Sequence, residues 1–438
     1  MVLLSTNRKA NSVSLREAVL KGMPEDGGLY IPSELPTISL DRFKGIRSYS
    51  FQEIAFFAAQ ALLGDEIDPD ILKSIVFDTL NFDLPLVKLD ENLYILELFH
   101  GPTLSFKDFG ARFMARMISY YIAQSEKNLY VLVATSGDTG SAVAQSFYRV
   151  PGIQVVLLYP SGKVSLIQEK QFSALNENIT VLEIEGTFDD CQILVKQAFA
   201  SSELNSKLNL TSANSINIAR LIPQTFYYFY VCAQFEGKNE IVISVPSGNF
   251  GNLTAGLMAK KMGCPVSHFT AAMNANDTFC RYLETGVFQP APSKKTISNA
   301  MDVGNPSNAA RIFYLYNQNL EALRKDLSGF SVSDDETREA IRDVFKTYGY
   351  LMDPHGAVGY LGLKRFFEKS PEKKCGIFLE TAHPAKFSEM IEEIIGKPVP
   401  IPASLQESLK RKKQTVLFPN DFSQLKAFLL SKFFLNNL

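Results

Sequence analysis

The feature that most constrains the fold is a repeated order of apolar strand, polar loop and helix. Residues 128–134 precede the loop TSGDTG, residues 153–160 precede SGKVS and residues 240–246 precede SGNFGN, and each loop leads into a helical pattern. Strands that alternate with helices predict parallel sheets that are buried on both faces. Because ligands of such sheets bind beyond the carboxyl ends of the strands, we expect a functional site at these loops.

The chain divides into three predicted regions. Residues 1–90 have a turn-rich stretch, EDGGLYIPSELP, and then apolar residues at helical spacing in FQEIAFFAAQALL, which predicts a mainly helical N-terminal domain. Residues 91–390 carry the alternating pattern, and residues 391–438 are predicted to form a helical tail. Segment 286–308, rich in Pro, Ser, Asn and Lys, interrupts the pattern as either a cover over a site or a surface loop.

Composition excludes several classes of protein. Over 438 residues, 46% are hydrophobic and 21% are charged, which is typical of a folded chain. The 44 basic residues nearly cancel the 46 acidic ones, so a nucleic-acid partner is not expected. Apolar stretches are too short to span a membrane and the start lacks a signal-peptide pattern, which predicts a cytoplasmic protein. The 5 cysteines include no CxxC pair, which argues against a disulfide framework and a cysteine-based zinc site, and with only 4 histidines we expect no metal site.

The loop SGNFGN, residues 247–252, has the features of a phosphate-binding loop. Gly248 and Gly251 allow a tight turn and a close approach of the backbone to a ligand. The helix that follows offers free N–H groups and the positive end of its dipole to an anion. An ordinary strand-to-helix turn remains the alternative on spacing alone.

The loop TSGDTG, residues 135–140, has the same setting and is rich in hydroxyl groups. It suits a ligand with an amine, a hydroxyl or a carboxylate, which the side chains and the backbone N–H groups would hold. The alternative is that Ser136, Asp138 or Thr139 caps the following helix without any ligand.

Segment HGPTLSFKDFG, residues 100–110, places Lys107 at the start of a predicted helix. The positive end of the helix dipole disfavours an ammonium group and lowers the pKa of the amine. A lowered pKa is the property that a Schiff-base lysine requires. A surface lysine is the alternative.

The lysine segment PTLSFKDFGARF and the loops ATSGDTGSAV and SGNFGN, in this order, resemble the pyridoxal-phosphate enzymes of the tryptophan synthase β-subunit type, known as fold type II. EDGGLYIP, NSINIAR, MDVGNPSN and TAHPAKF narrow the resemblance to the threonine synthase family, over nearly the whole chain. The resemblance implies an α/β fold of two lobes with parallel-rich open sheets within residues 91–390. It also implies the cofactor pyridoxal 5'-phosphate, the small-molecule substrate O-phospho-L-homoserine, and a monomer or homodimer.

The resemblance further implies a role for individual residues. Lys107 would join the cofactor covalently, Thr381 would bond its pyridine nitrogen, and Asp138 would lie beside its phenolic oxygen, where related enzymes often have Asn. The residues expected to hold the cofactor phosphate are Gly248, Asn249, Phe250, Gly251 and Asn252. The residues expected to bind the substrate are Thr135, Ser136, Gly137, Thr139, Asn214 and Arg220, the last two at its phosphate. Some relatives also use a lysine near position 101, where this chain has Gly101.

Two rival functions stay open at this point. A serine or threonine dehydratase, or a β-replacing synthase, uses the same cofactor, but its substrate has no phosphate for Asn214 and Arg220 to bind. A non-catalytic protein that binds a phospholigand would retain the fold without any need for Lys107.

Overall fold

A computed structural model of the chain describes residues 1–39, 45–123, 128–135, 137–235, 240–370 and 374–434. Its strands are β1 (Val2–Ser5), β2 (Val13–Ser14), β3 (Tyr30–Pro32), β4 (Leu86–Asp90), β5 (Leu93–Glu97), β6 (Leu129–Ala134), β7 (Ile153–Pro160), β8 (Ile179–Ile184), β9 (Asn209–Ser212), β10 (Ile241–Pro246), β11 (Val266–Met273), β12 (Leu327–Ser331), β13 (Cys375–Glu380) and β14 (Val416–Phe418).

The helices surround the sheets formed by these strands. They are α1 (Leu15–Lys21), α2 (Phe51–Leu63), α3 (Pro69–Thr79), α4 (Lys107–Ile122), α5 (Asp138–Phe147), α6 (Leu166–Ser173), α7 (Phe188–Ala200), α8 (Ser202–Lys207), α9 (Ile218–Leu221), α10 (Phe226–Gln234), α11 (Gly251–Lys261), α12 (Thr278–Thr285), α13 (Ala309–Leu315), α14 (Leu320–Asp326), α15 (Asp334–Tyr348), α16 (Pro354–Lys369), α17 (Ser388–Ile395), α18 (Ala403–Lys410) and α19 (Phe422–Phe433).

The N-terminal region combines the predicted helices with a small sheet. Helix α2 begins at a capping box of Ser50 and Glu53, and α3 begins at Asp68, whose side chain accepts from two backbone N–H groups. Strands β2, β1 and β3 pair antiparallel in that order, a sheet that the sequence did not predict. These strands have only 2 to 4 residues, which is too short to show an alternating pattern.

The first lobe is built on a six-stranded sheet with the order β12-β11-β10-β13-β5-β4. All neighbouring pairs are parallel except β4 with β5, which places the antiparallel strand at one edge. Every residue of β10 and of β13 is buried, as expected for central strands covered by helices on both faces.

The second lobe is built on a five-stranded parallel sheet with the order β14-β8-β7-β6-β9. Strand β14 comes from the C-terminal tail and pairs with β8, so the tail contributes a strand as well as helices. The two sheets confirm the prediction of an α/β fold with parallel-rich sheets flanked by helices. Among the helices described, none combines the length and apolar content needed to cross a lipid bilayer.

Candidate active site

The three segments expected to bind the cofactor leave neighbouring strands of the six-stranded sheet. Strands β10, β13 and β5 lie side by side and run parallel. Loop 247–252 follows β10, Thr381 follows β13, and the segment that leads to Lys107 follows β5. Because the carboxyl ends of parallel strands share one edge of a sheet, the topology gathers these segments at that edge.

Lys107 is the first residue of α4, and its side chain is partly buried. Backbone hydrogen bonds tie its segment to the Thr381 segment, since the Phe106 N–H donates to the Thr381 carbonyl at 2.9 Å and the His383 N–H donates to the Leu104 carbonyl at 3.0 Å. Burial lowers the pKa of Lys107 to about 8; Asp138 opposes this shift, whereas Arg220 and Lys386 add to it. The alternative of an ordinary surface lysine therefore does not describe Lys107.

The loop after β10 presents an uncapped helix start. Phe250 has a φ of 58°, in the left-handed region, and α11 begins at Gly251 with no side-chain cap. The Phe250 ring packs 4.6 Å from the ring of Phe279, so this residue offers the site only its backbone. The hydroxyls of Tyr227 and Tyr228 both donate to Asn252 Oδ1 at 2.6 Å, while Asn252 Nδ2 is a buried donor without a partner among the described residues.

Segment 286–308 braces this loop from outside. The Ser307 N–H donates to Asn249 Oδ1 at 2.6 Å, and Asn308 Nδ2 donates to the Asn249 carbonyl at 2.9 Å. A Cβ on Gly248 would lie 2.7 Å from the Cα of Met301, so the two backbones are too close for any larger residue. Part of this segment thus packs against the predicted cofactor-phosphate loop.

In the loop after β6, the Thr135 hydroxyl accepts from the N–H groups of Gly137 at 3.1 Å and Gly140 at 2.7 Å. The N-cap of α5 is Gly137, at a φ of 148°, and it has no side-chain cap. Capping by Asp138 or Thr139 is therefore not observed. Thr139 lies partly buried on the first turn of α5, and Ser136 lies outside the described residues.

Asp138 is paired with a lysine to which the sequence assigned no role. Lys386 Nζ lies 2.6 Å from Asp138 Oδ1, and both side chains are buried. Gln168 Nε2 donates to the same oxygen at 2.9 Å. Burial alone would raise the pKa of Asp138, but Lys386, Lys107 and these hydrogen bonds hold it at about 2. Lys386 belongs to the motif TAHPAKF, so its place in that motif was the available signal.

The residues expected at the substrate phosphate follow β9, the neighbour of β6. Asn214 Nδ2 donates to the carbonyl of Ala134 at 2.8 Å, which brings Asn214 beside Thr135. Arg220 is buried; its NH1 group donates to the Ala213 carbonyl, and its Nε is a buried donor without a partner among the described residues. Two donors of the predicted phosphate clamp thus lie in the segment that follows β9, Asn214 in the loop and Arg220 on α9.

Helix α4 links this clamp to Lys107. A Cβ on Gly110 would lie 2.8 Å from Arg220 Nε, so Arg220 packs directly on α4, three residues beyond Lys107. Residues three apart share one face of a helix, so Lys107 and Arg220 lie on the same side of α4. At position 101, a Cβ would lie 2.5 Å from Asp108 Oδ2, which explains why this chain has Gly101 there rather than a lysine.

Comparison with known proteins identifies the family. The family described as pyridoxal-phosphate dependent enzymes matches residues 78–379, the threonine synthase N terminus matches residues 3–80, and the threonine synthase C-terminal family matches residues 356–429. The threonine synthase of Serratia marcescens is 43% identical over 432 residues, covering 98% of this chain and 99% of the relative. The chain belongs to the threonine synthase family.

Solved structures agree with this assignment. The crystal structure of threonine synthase from Escherichia coli has a TM-score of 0.92 and 42% identity, and the match covers 98% of this chain and 100% of that one. The structure of pyridoxal-phosphate-bound threonine synthase from Brucella melitensis also has a TM-score of 0.92, with 33% identity and 98% of both chains covered. The expected family, the expected fold and dependence on pyridoxal phosphate are confirmed, whereas the roles of single residues stay predictions.

The side chains present fit the cofactor of the threonine synthase family. Lys107 supplies an amine whose pKa is lowered to about 8, and the uncapped start of α11 supplies backbone donors for a phosphate. Asn252 Nδ2 is a further buried donor in that loop that lacks a protein partner among the described residues. An amine and an anion site at one sheet edge match the aldehyde and the phosphate of pyridoxal phosphate.

Proposed function

We propose that the protein converts O-phospho-L-homoserine and water to L-threonine and phosphate, with pyridoxal 5'-phosphate bound to Lys107. When bound, the cofactor stabilises negative charge on the carbon atoms next to the substrate amine. The observation that carries the proposal is the position of Lys107, which lies on the same face of α4 as Arg220 and on the same sheet edge as the start of α11. The amine of Lys107 and the anion-binding start of α11 suit the cofactor, and Arg220 suits the phosphate of a phosphorylated amino acid.

Proton transfer and phosphate binding are assigned to different side chains. Lys107, with a pKa of about 8, is partly deprotonated near neutral pH and moves protons at neighbouring substrate carbons. Arg220 and Asn214 bind the substrate phosphate, and the guanidinium neutralises the charge that develops as phosphate leaves. Thr135, Gly137 and Thr139 are proposed to bind the rest of the substrate, and the same role is proposed for Ser136, which lies outside the described residues.

Cofactor contacts are proposed for the remaining residues. The backbone of residues 248–252 holds the cofactor phosphate, and Thr381 bonds the pyridine nitrogen with its hydroxyl. Asp138 would be the residue next to the phenolic oxygen of the bound cofactor. This carboxylate is compatible with that oxygen because Lys386 supplies an opposite charge at 2.6 Å.

The test is phosphate release from O-phospho-L-homoserine, with threonine identified as the second product. Lys107→Ala should abolish both products and the absorbance of the bound cofactor. Arg220→Ala should reduce kcat/KM for O-phospho-L-homoserine about 100-fold or more, because a charge-assisted contact to phosphate is lost, and should reduce any serine deamination much less. Equal losses for both substrates would favour a dehydratase, and failure to take up pyridoxal phosphate would favour a non-catalytic protein.

The domain bounds and the assembly are further parts of the proposal. We propose an N-terminal domain at residues 1–90, a catalytic region at 91–390 and a C-terminal tail at 391–438. The family matches at 3–80 and 356–429 support two flanking regions around the catalytic one. We also propose a cytoplasmic monomer or homodimer, which light scattering on the purified holoenzyme distinguishes from larger assemblies.

A further inference from the structure

Arg311, on α13, is a fully buried arginine that joins three separate parts of the chain. Its Nε donates to the carbonyl of Tyr30 at 2.9 Å, and its NH2 group donates to the carbonyl of Ile216 at 2.6 Å. Its NH1 group donates to the Ser215 carbonyl at 3.1 Å and to Asn308 Oδ1 at 2.6 Å. The guanidinium therefore connects the motifs EDGGLYIP, NSINIAR and MDVGNPSN.

The charge of Arg311 has no carboxylate partner among the described residues. All four of its acceptors are neutral oxygens, whereas Arg324 and Arg365 elsewhere in the chain pair with Glu321 and Glu336. Burial lowers the pKa of Arg311 to about 9. A buried cation without a counter-charge is costly, so a bound anion nearby would stabilise it.

The partners of Arg311 lie against the predicted cofactor-phosphate loop. Asn308 Nδ2 donates to the Asn249 carbonyl at 2.9 Å, and Asn249 Nδ2 donates to Ser215 Oγ at 2.7 Å. A Cβ on Gly251 would lie 3.6 Å from Ser215 Cβ and 3.8 Å from Asn308 Nδ2. Only one residue thus separates the guanidinium from the first residue of α11.

We propose that Arg311 is a positioning residue whose four hydrogen bonds shape loop 247–252 and whose buried charge is balanced by the phosphate of the bound cofactor. The proposal rests on the cofactor site described above. Two independent features support the proposal. Ser215 and Asn308 form hydrogen bonds both with Arg311 and with Asn249 of the loop. Arg311 also has no acidic partner within the described part of the chain. Arg220, which lies in the NSINIAR motif with Ser215, is instead proposed to bind the substrate phosphate.

The experiment measures the dissociation constant of pyridoxal phosphate for the apoprotein by absorbance titration. Variants are Arg311→Met, which removes the charge at similar length, Arg311→Lys, which keeps the charge but cannot span four acceptors, and Arg324→Met as the matched control. Arg324 also donates to two backbone carbonyls, those of Leu283 at 2.7 Å and Glu284 at 2.9 Å, but it has Glu321 as its counter-charge. Thermal unfolding of each apoprotein reports the purely structural effect.

Arg311→Met should weaken cofactor binding about tenfold or more and Arg311→Lys about threefold, whereas Arg324→Met should stay within about twofold. Inorganic phosphate should raise the thermal midpoint of the wild-type apoprotein, and Arg311→Met should show a smaller rise. If Arg311→Met does not fold, the test depends on Arg311→Lys. A dissociation constant of Arg311→Lys for pyridoxal phosphate within twofold of the wild-type value would overturn the proposal. Failure of both variants to fold also overturns it, because the role would then be structural only. Failure of the wild type to bind the cofactor would instead refute the proposed function.

Discussion

The Lys386 ammonium lies 2.6 Å from the Asp138 carboxylate, and both side chains are shielded from solvent. Lys386 also donates to the Thr103 carbonyl at 2.8 Å, which links the pair to the segment that carries Lys107. The family resemblance implies that related enzymes often have Asn where this chain has Asp138. Because Lys386 and Asp138 carry opposite charges, the pair has a net charge near zero. An Asn side chain at position 138 would be neutral without a paired lysine.

Removing Lys386 should destabilise the protein strongly. Lys386→Met leaves the Asp138 carboxylate buried without its counter-charge, and such losses amount to about 3–5 kcal/mol of unfolding free energy. The double variant Lys386→Met with Asp138→Asn should recover most of that loss, because no charge then remains buried. Urea unfolding of the apoproteins measures both values. A matched control is Lys207→Met, which breaks the exposed pair with Glu203 at 3.1 Å and should cost less than about 1 kcal/mol.

Asp138 should also contribute to the pH dependence of stability. Its pKa is about 2 in the folded protein and 3.8 in the ordinary carboxyl, so the folded state binds the proton less well. The contribution is fully present above about pH 4 and is lost as the pH falls through about 2, with a size of roughly 2 kcal/mol. Unfolding free energies from pH 6 to pH 2 should fall less steeply in the double variant than in the wild type. Parallel curves would contradict the prediction.

Cofactor uptake should report the lowered pKa of Lys107. An amine with a pKa of about 8 is about one-tenth neutral at pH 7, whereas an ordinary lysine is neutral in only about one molecule in three thousand. The rate at which the apoprotein takes up pyridoxal phosphate should therefore rise with pH and level off above about pH 8. Stopped-flow absorbance measures that rate. A rate that still increases tenfold per pH unit at pH 9.5 would show an ordinary lysine.

Two glycines of one loop should respond differently to alanine. A Cβ at Gly248 would lie 2.7 Å from the Met301 backbone, whereas a Cβ at Gly251 would meet nothing closer than 3.6 Å. Gly248→Ala should thus cost about 1–3 kcal/mol of stability through a forced backbone shift, and Gly251→Ala less than about 1 kcal/mol. Urea unfolding of the two apoproteins measures these losses of unfolding free energy. Equal losses would contradict the prediction and would mean that the turn at residues 299–301 moves away from the added Cβ at little cost.

Local pattern accounts for much of the fold. The buried strands β10 and β13 appear in the sequence as short apolar runs, and the loop that follows β10 is rich in Gly and Asn. A helix that starts at Lys107 and a helix after loop 247–252 were also predictable, since helical spacing is a local property, but α11 begins at Gly251, inside the predicted loop. The strands β1, β2 and β3 were not, because they are too short to carry a periodic signal.

The sequence by itself determined the strand–loop–helix order, the family resemblance and the candidate site residues, because each of these depends on neighbours along the chain. Only the tertiary structure decided which groups meet across it. Lys386 reaches Asp138 from 248 positions away, as their numbers show, and Arg311 reaches Tyr30 across most of the chain. Burial and the pairing of charges depend on such distant contacts, and these two effects set the pKa values of Lys107 and Asp138.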